Sequence, residues 1–190
     1  MNPKIYLITG LMASGKSTVS DLLAKSIEKC VHLRGDVFRK MIISGRENMS
    51  ATPSAEAVRQ LYLRYKLTAD AARSYFDNGF SVVIQDNYYG DELNRMINYL
   101  HKYPVEVVVL CPDVETIKER ERYREKTGYS GFTVETLYDT FMQTTPRIGF
   151  WLDNSNQTPQ QTAENILNAR KPVWLLHIRG RKISFRYLLS

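Results

Sequence analysis

The sequence has few of the residues that mark secreted, membrane-spanning or zinc-binding proteins. Its 190 residues include two cysteines, Cys30 and Cys111, and three histidines that lie far apart in the chain. We expect both cysteines to be small buried apolar side chains, because neither has neighbours at the spacing of metal ligands. No apolar run approaches the ~20 residues that a membrane-spanning helix needs. The first residues also lack the charged, apolar and small segments of a signal peptide, so we expect a cytoplasmic protein without a membrane segment.

Acidic residues are missing from the C-terminal part of the sequence. Residues 165–190 contain six Lys or Arg and no Asp or Glu, while the whole chain has 26 basic and 20 acidic residues. Residues 1–164 therefore hold 20 residues of each sign and carry no net charge. A neutral body disfavours a nucleic acid as the main partner, because nucleic-acid affinity depends on clustered Lys and Arg.

We divide the chain into a domain of residues 1–170 and a basic tail of residues 171–190. The tail holds two strand-like runs, VWLLHI and ISFRYLL, joined by RGRK. This pattern predicts a hairpin or a segment for self-association, with disorder as the alternative. A homodimer stays open at this point.

The segment IYLITGLMASGKSTVSDLLAK, residues 5–25, joins an apolar run to a glycine-bracketed loop and then to a helical pattern. The loop fits the P-loop (Walker A) pattern G-x-x-x-x-G-K-[ST]. Its glycines let the backbone curl until several N–H groups form a nest for an anion, and the following helix adds the positive end of its dipole. The alternative is a glycine-rich turn that only saves space, but the strand before the loop and the helix after it favour phosphate binding.

We therefore predict ATP and Mg²⁺ as cofactors. The pattern places Lys16 as a positive charge on the β- and γ-phosphates, and Ser17 as a hydroxyl ligand of the metal. No Asn-Lys-x-Asp segment for reading guanine occurs, which argues against a GTP switch but leaves the choice of ATP or GTP as phosphate donor open. The nucleotide-binding residues of this prediction are Gly10, Ala13, Ser14, Gly15, Lys16, Ser17 and Thr18.

Strand-like and helix-like segments alternate along the chain, which is typical of a parallel sheet with crossover helices. We predict an α/β protein with three layers, α/β/α, around a five-stranded parallel sheet. The predicted strands are residues 4–9, 31–34, 80–86, 105–111 and 148–152. The predicted helices are residues 16–29, 37–45, 53–78, 91–102, 113–126, 133–143 and 159–169.

Ligands of such sheets gather at the carboxyl ends of the strands, where this sequence has carboxylates and arginines. The second strand leads to Asp36 and Arg39, and the third ends in Asp86. The fourth is followed by a charged helix with Arg120 and Arg124. Together with the P-loop, these residues are typical of phosphoryl transfer, in which positioning and charge neutralisation supply most of the catalysis.

The sequence resembles a group of P-loop kinases that holds chloramphenicol phosphotransferase, gluconate and shikimate kinases, zeta toxins and phage polynucleotide kinase. The segment LRGDVFRKMI resembles the one in which an aspartate contacts the acceptor hydroxyl, and this implies a general-base role for Asp36. VVIQDN resembles the IIIDD-type strand end of chloramphenicol phosphotransferase, although Gln85 replaces the first acidic residue, and this implies a substrate-anchoring role for Asp86. WLDNSNQTPQQTAENIL resembles the last strand, the adenine-side loop and the closing helix of the group.

The resemblance covers residues 3–169 and implies a P-loop NTPase fold like that of nucleoside kinases. It also implies an ATP-dependent kinase that transfers the γ-phosphoryl group to a hydroxyl of a small molecule, with Lys16, Asp36, Arg120 and Arg124 as catalytic residues and Asp36, Arg39 and Asp86 at the substrate. The alternative is a polynucleotide 5′-kinase or another P-loop ATPase acting on nucleic acid, because the RGDVFR segment resembles that enzyme as well.

Each of these residues also has an ordinary structural interpretation. Asp36 could cap a helix that begins at residue 37, since Asp is favoured at that position. Asp86 could be a turn residue, and Arg39 an exposed helix residue. The run KERERYREK could be a solvated helix face, but its place before a glycine-containing loop suggests a lid over residues 113–133 that brings Arg120 or Arg124 to the phosphate.

The long predicted helix of residues 53–78 also has two interpretations. It carries several aromatic and basic side chains, among them Tyr62, Arg64 and Tyr65. An ordinary amphipathic cover helix would explain them, as would a wall of the acceptor pocket. The sequence does not name the acceptor.

Overall fold

The computed structural model describes residues 2–50, 52–123 and 133–169, and within them five strands alternate with seven helices. The strands are β1 Ile5–Gly10, β2 Cys30–Arg34, β3 Ser81–Gln85, β4 Val105–Leu110 and β5 Phe150–Leu152. The helices are α1 Lys16–Lys25, α2 Gly35–Lys40, α3 Ala55–Asp77, α4 Asp91–Tyr99, α5 Val114–Arg122, α6 Val134–Thr144 and α7 Pro159–Asn168. The predicted hairpin of the tail, Arg124 and most of the loop that the lid was expected to contain lie outside the described residues.

The strands form one parallel sheet in the order β2-β3-β1-β4-β5. Strand β1 is central, with Ile5 in register with Val82 of β3 on one side and Val105 of β4 on the other. All six residues of β1 are buried, as expected for a parallel strand that is covered on both faces. Because every strand points the same way, their carboxyl ends meet at one edge of the sheet. The predicted fold class is confirmed.

Helices cover the two faces of the sheet, and the alternation of side chains along β1 shows how. Ile5 and Leu7 pack into a core with α3, α4, α5 and α6, while Tyr6 and Ile8 pack into a second core with α1 and α7. This follows from the period of two in a strand, which sends neighbouring side chains to opposite faces. The sheet is thus the middle of three layers. Among the helices of the described residues, none has the length and apolar character that crossing a bilayer requires.

Element ends differ from the prediction by a few residues, for local reasons. Helix α1 stops at Lys25 instead of residue 29, where the N–H of Ser26 is shared between two carbonyls of the last turn. Helix α3 starts at Ala55 because the hydroxyl of Ser54 caps it by accepting the N–H of Ala57 at 3.0 Å. Strand β5 begins at Phe150 because Gly149 has φ +77°, a conformation that breaks the strand before it.

Candidate active site

The loop between β1 and α1 has the backbone of an anion nest. Ala13 has φ +64° and Gly15 has φ +93°, so left-handed residues alternate with others along the loop. Gly10 lies so close to β4 that a Cβ there would be 2.3 Å from the carbonyl oxygen of Leu110. Gly15 is the N-cap of α1 and has no side chain to bond the first N–H groups of the helix, which stay available to an anion.

Lys16 turns its ammonium group back over this loop. Its Nζ donates to the carbonyl oxygens of Gly10 at 2.7 Å and Leu11 at 2.6 Å, and the residue is 7% exposed. Ser17 and Thr18, at the start of α1, are exposed. A glycine cradle, an ammonium group at its centre and an exposed hydroxyl beside it fit the phosphates of a nucleotide and its Mg²⁺.

Asp86 follows β3 directly and is buried beside an arginine from α3. Its Oδ2 lies 3.0 Å from Nε of Arg64, and its Oδ1 accepts the N–H of Asn87 at 2.8 Å. Burial raises the pKa of Asp86 above its usual value, although Arg64, the N–H of Asn87 and Lys16 act to lower it. Asp86 is therefore a buried carboxylate that is paired with Arg64.

Asp36 lies on α2, on the same edge of the sheet, and is bound by two cations of its own helix. It accepts from Nε of Arg39 and pairs with Nζ of Lys40, both at 2.9 Å. Burial acts to raise the pKa of Asp36, but the hydrogen bonds from Lys40 and Arg39 outweigh it and bring the pKa below the usual value. The cap hypothesis is wrong, because α2 already begins at Gly35 and its N-cap is Arg34.

The charges of Asp36 and of Lys16 both act on the pKa of Asp86. The negative charge of Asp36 raises the pKa of Asp86, and the positive charge of Lys16 lowers it. The P-loop, Asp36 and Asp86 follow β1, β2 and β3, which are neighbours in the sheet, so all three lie at its carboxyl edge.

A small pocket of about 10 Å³ lies between α2, α3 and the connection that joins them. The guanidinium group of Arg39 donates through Nε to Asp36 and through Nη1 to Oδ1 of Asn48 at 2.6 Å. Arg39 is therefore not a free surface residue. Gln60 pins the connection, since its amide accepts the N–H of Glu47 at 2.9 Å and donates to the carbonyl of Gly45 at 2.8 Å. The residues that line the pocket are Arg39, Glu47, Met49, Ala57, Gln60, Leu61 and Arg64.

Arg120 lies on the other side of the P-loop. Its Nη1 donates to the carbonyl oxygen of Ser14 at 3.4 Å, and its Nη2 to that of Asn154 at 2.9 Å. Burial lowers the pKa of Arg120, against the attraction of nearby carboxylates. The predicted lid arginine is thus within reach of the nucleotide loop, whereas Arg124 lies outside the described residues.

Three site residues were not singled out by the sequence prediction. Arg64 was one basic residue among several in its helix, and only the fold shows that it reaches Asp86. Gln60 carried no signal beyond an amide side chain in a helix, and Asn154 was not named individually, although it lies in the segment that resembles the adenine-side loop. Asn154 is 2% exposed, an unusual burial for this residue type in a loop after a strand.

Comparisons with known proteins identify the family and the fold. A family model described as an AAA domain, AAA_33, matches residues 5–144. A sugar kinase from Janibacter sp. HTCC2649 is 20% identical with a TM-score of 0.63, and the match covers 87% of this chain and 92% of that one. The tunicamycin resistance protein of Deinococcus radiodurans is 16% identical with a TM-score of 0.66, covering 86% and 93%.

A third similar structure is larger than this chain. A chain of the Pnkp1/Rnl/Hen1 RNA repair complex is 21% identical with a TM-score of 0.59, and the match covers 75% of this chain but 45% of that one. No curated protein sequence gives a significant match. At such identities the structural likeness shows the fold, and the family model, which spans most of the chain, shows the family. The chain belongs to the AAA_33 family, and its fold is that of a P-loop kinase.

Proposed function

We propose that the protein is an ATP-dependent kinase that phosphorylates a hydroxyl group of a small molecule. The observation that carries this proposal is that Asp36, Asp86 and the P-loop follow three neighbouring parallel strands, β2, β3 and β1, at one edge of the sheet. A nucleotide-binding switch needs only the nest. Two carboxylates from neighbouring strands next to the nest fit an acceptor that is held and deprotonated there.

In this proposal the P-loop holds the phosphates through its backbone N–H groups, and Lys16 neutralises their charge. The hydroxyl of Ser17 is a ligand of Mg²⁺, and the bound Mg·ATP supplies the γ-phosphoryl group. For this use the ammonium group of Lys16 leaves the carbonyls of Gly10 and Leu11, which it bonds in the structure. Arg120, next to Ser14, adds a positive charge on the lid side of the loop.

Of the two carboxylates, Asp36 is the better candidate for the base. Its side chain is 42% exposed, whereas that of Asp86 is 8% exposed and its oxygens face Arg64 and the N–H of Asn87. The lowered pKa keeps Asp36 ionised at neutral pH but makes it a weaker proton acceptor, so in this proposal its main contribution is the hydrogen bond that orients the acceptor hydroxyl. Arg39 and Lys40 hold the carboxylate in place. Asp86 then serves as a fixed polar anchor of the substrate side.

The side chains between α2 and α3 combine the guanidinium groups of Arg39 and Arg64 with the apolar side chains of Met49 and Leu61. The cavity that they enclose, about 10 Å³, holds no more than one water molecule, so a small acceptor would bind outside it, at the open carboxyl edge of the sheet. A polynucleotide acceptor is the second candidate, and the similarity to a chain of an RNA repair complex favours it. The net charge of zero over residues 1–164 weighs against it.

Two measurements test the proposal. Calorimetry should detect Mg·ATP binding to the wild type, and Lys16→Ala should weaken it strongly while circular dichroism shows the fold retained. A transfer assay with labelled ATP should then be run over neutral sugars, sugar acids, hydroxylated antibiotics and a single strand with a 5′-hydroxyl. Absence of ATP binding would overturn the nucleotide assignment. Transfer to the single strand alone would replace the small molecule by nucleic acid.

A further inference from the structure

The loop after β5 contacts the P-loop through a buried amide. The side-chain Nδ2 of Asn154 donates to the carbonyl oxygen of Ser14 at 3.1 Å, across 140 positions of sequence. That oxygen also receives Nη1 of Arg120, and Nη2 of the same arginine bonds the backbone carbonyl of Asn154. Three parts of the protein, the P-loop, α5 and the loop after β5, therefore converge on a single carbonyl group.

The direction of this carbonyl decides the direction of a neighbouring N–H group. In a planar trans peptide the C=O and the following N–H point in opposite directions, so fixing the oxygen of Ser14 fixes the N–H of Gly15 on the other side. Ala13 and Gly15, on either side of Ser14, both have positive φ. Such a loop owes its affinity for anions to N–H groups that point inward and carbonyls that point outward.

We propose that Asn154 is a positioning residue of the nucleotide site, which acts through the Ser14–Gly15 peptide. Its amide and the guanidinium of Arg120 hold the Ser14 carbonyl away from the cradle, and thereby keep the Gly15 N–H directed into it. The inference rests on the proposed nucleotide-dependent function. In this proposal Asn154 itself does not contact the substrate.

The loop that carries Asn154 is itself braced. The carboxylate of Asp153 accepts the N–H of Ser155 at 2.9 Å, and the hydroxyl of Ser155 accepts the N–H of Asp113 at 2.8 Å. Asp113 is the N-cap of α5, the helix that carries Arg120. The two donors to Ser14 are thus fixed relative to each other, which is the geometry that a shared positioning role requires.

The test is a double-mutant cycle on nucleotide binding, which needs no acceptor. The dissociation constant of Mg·ADP is measured by calorimetry for wild type, Asn154→Ala, Arg120→Ala and the double variant. Each single variant leaves one donor on Ser14, so we expect about a three- to tenfold weaker affinity for each. The double variant removes both side-chain donors that the described residues bring to this buried carbonyl, so its loss should exceed the product of the two single losses.

The matched control is Asn98→Ala, because Asn98 is the same residue type, is exposed, and lies near the end of α4 that leads into β4, at the opposite edge of the sheet from the P-loop. It should bind Mg·ADP like the wild type. Asn154→Asp should bind more weakly than Asn154→Ala, because a carboxylate oxygen beside the Ser14 carbonyl repels it. The melting temperature of each variant without nucleotide checks that the fold is intact.

Three results would overturn the inference: wild-type affinity in Asn154→Ala, losses in the double variant that only multiply, or an equal loss in Asn98→Ala. If the wild type itself does not bind Mg·ADP, the proposed function fails first. Binding by the wild type with unchanged variants removes the role of Asn154 and leaves the proposed function standing.

Discussion

The carboxylate of Asp86 lies directly against the backbone of Gly35. A Cβ placed on Gly35 would be 2.1 Å from Oδ2 of Asp86, far inside any normal contact distance. Gly35 is the first residue of α2 and immediately precedes Asp36. The absence of a side chain at this one position therefore lets the ends of β2 and β3 bring the two carboxylates together.

We predict that Gly35→Ala separates these two strand ends and lowers phosphoryl transfer at least tenfold. The added methyl group meets a carboxylate that Arg64 holds in a buried ion pair, so neither partner can yield freely. The free energy of unfolding should fall by about 1–3 kcal/mol, as for other overpacked sites. Calorimetry should show little change in Mg·ATP affinity, because the P-loop is not touched.

Gly45→Ala is the control for this variant, since no atom lies within 4 Å of a Cβ there. Gly45 has a positive φ of +72°, so alanine there also has a backbone cost. The control therefore includes the general cost of replacing a glycine by alanine. Transfer by this variant should stay near the wild-type rate. A Gly35→Ala protein with unchanged turnover would show that the approach of Asp86 to Gly35 has no part in the reaction.

Asp86 should make the stability of the protein depend on pH above about pH 4. Burial raises the pKa of Asp86 in the folded state above the unfolded value of about 3.9, so the folded protein holds this proton more tightly. The stabilising contribution of Asp86 to the free energy of unfolding is complete below the unfolded pKa and is lost as the pH rises through the folded pKa. The variant Asp86→Asn cannot titrate at this position. Its free energy of unfolding, relative to that of the wild type, should therefore rise with pH.

Urea unfolding of both proteins between pH 4 and pH 8 measures this difference. Asp113→Asn is the control of opposite sign, because the N–H of Thr116 lowers the pKa of Asp113. The difference in the free energy of unfolding between Asp113→Asn and the wild type should be constant from pH 4 to pH 8 and should decline only below about pH 4. A flat difference for Asp86→Asn from pH 4 to pH 8 would mean that the folded state does not raise this pKa.

Deleting residues 171–190 should leave nucleotide binding and transfer unchanged. The deletion removes five basic residues and no acidic ones, which lowers the formal net charge from +6 to +1. The last described helix, α7, ends before it at Asn168, and the family match ends at residue 144. The control keeps the length of the chain and replaces the five basic residues by Gln. Loss of Mg·ATP binding in a folded truncated protein would place the tail in the nucleotide site.

The features that the sequence predicted correctly are those with a local pattern. The five strands have apolar runs, and the P-loop has a fixed spacing of Gly, Lys and Ser, so both could be located without knowing the fold. From the parallel order alone, Asp36 and Asp86 could be expected at the same edge. The start of α2 was misplaced because Asp36 suits the N-cap of a helix that begins at residue 37, whereas α2 begins at Gly35, which the contact with Asp86 requires to be glycine.

The features that the sequence did not reveal depend on the direction of long side chains across the fold. Arg64 reaches Asp86 over 22 positions, and Asn154 reaches Ser14 over 140. Neither spacing follows from a helical or strand period, since each contact arises only when two elements pack. Burial of the polar groups of Arg64 and Asn154 distinguishes them from the other Arg and Asn residues, and burial is known only from the structure.

The last prediction concerns Asp36. If its carboxylate accepts the proton of the acceptor hydroxyl, Asp36→Asn should lower turnover by ~10²–10⁴, the usual contribution of a positioned acid or base. The loss should fall at the low end if transfer is largely dissociative, because orientation of the hydroxyl then matters more than its deprotonation. The Michaelis constant for ATP should hardly change, since the P-loop and Lys16 hold the phosphates.

Asp70→Asn is a closely matched control for Asp36→Asn. Asp70 pairs with Lys66 and Arg73 of its own helix, much as Asp36 pairs with Lys40 and Arg39, but it lies on α3. Both variants remove one carboxylate from a similar group of cations, so effects of lost helix pairing appear in both. Only Asp36→Asn should lower turnover. Equal turnover in the two variants would reduce Asp36 to one more partner of its neighbouring cations, and the base would have to be sought elsewhere at the same edge.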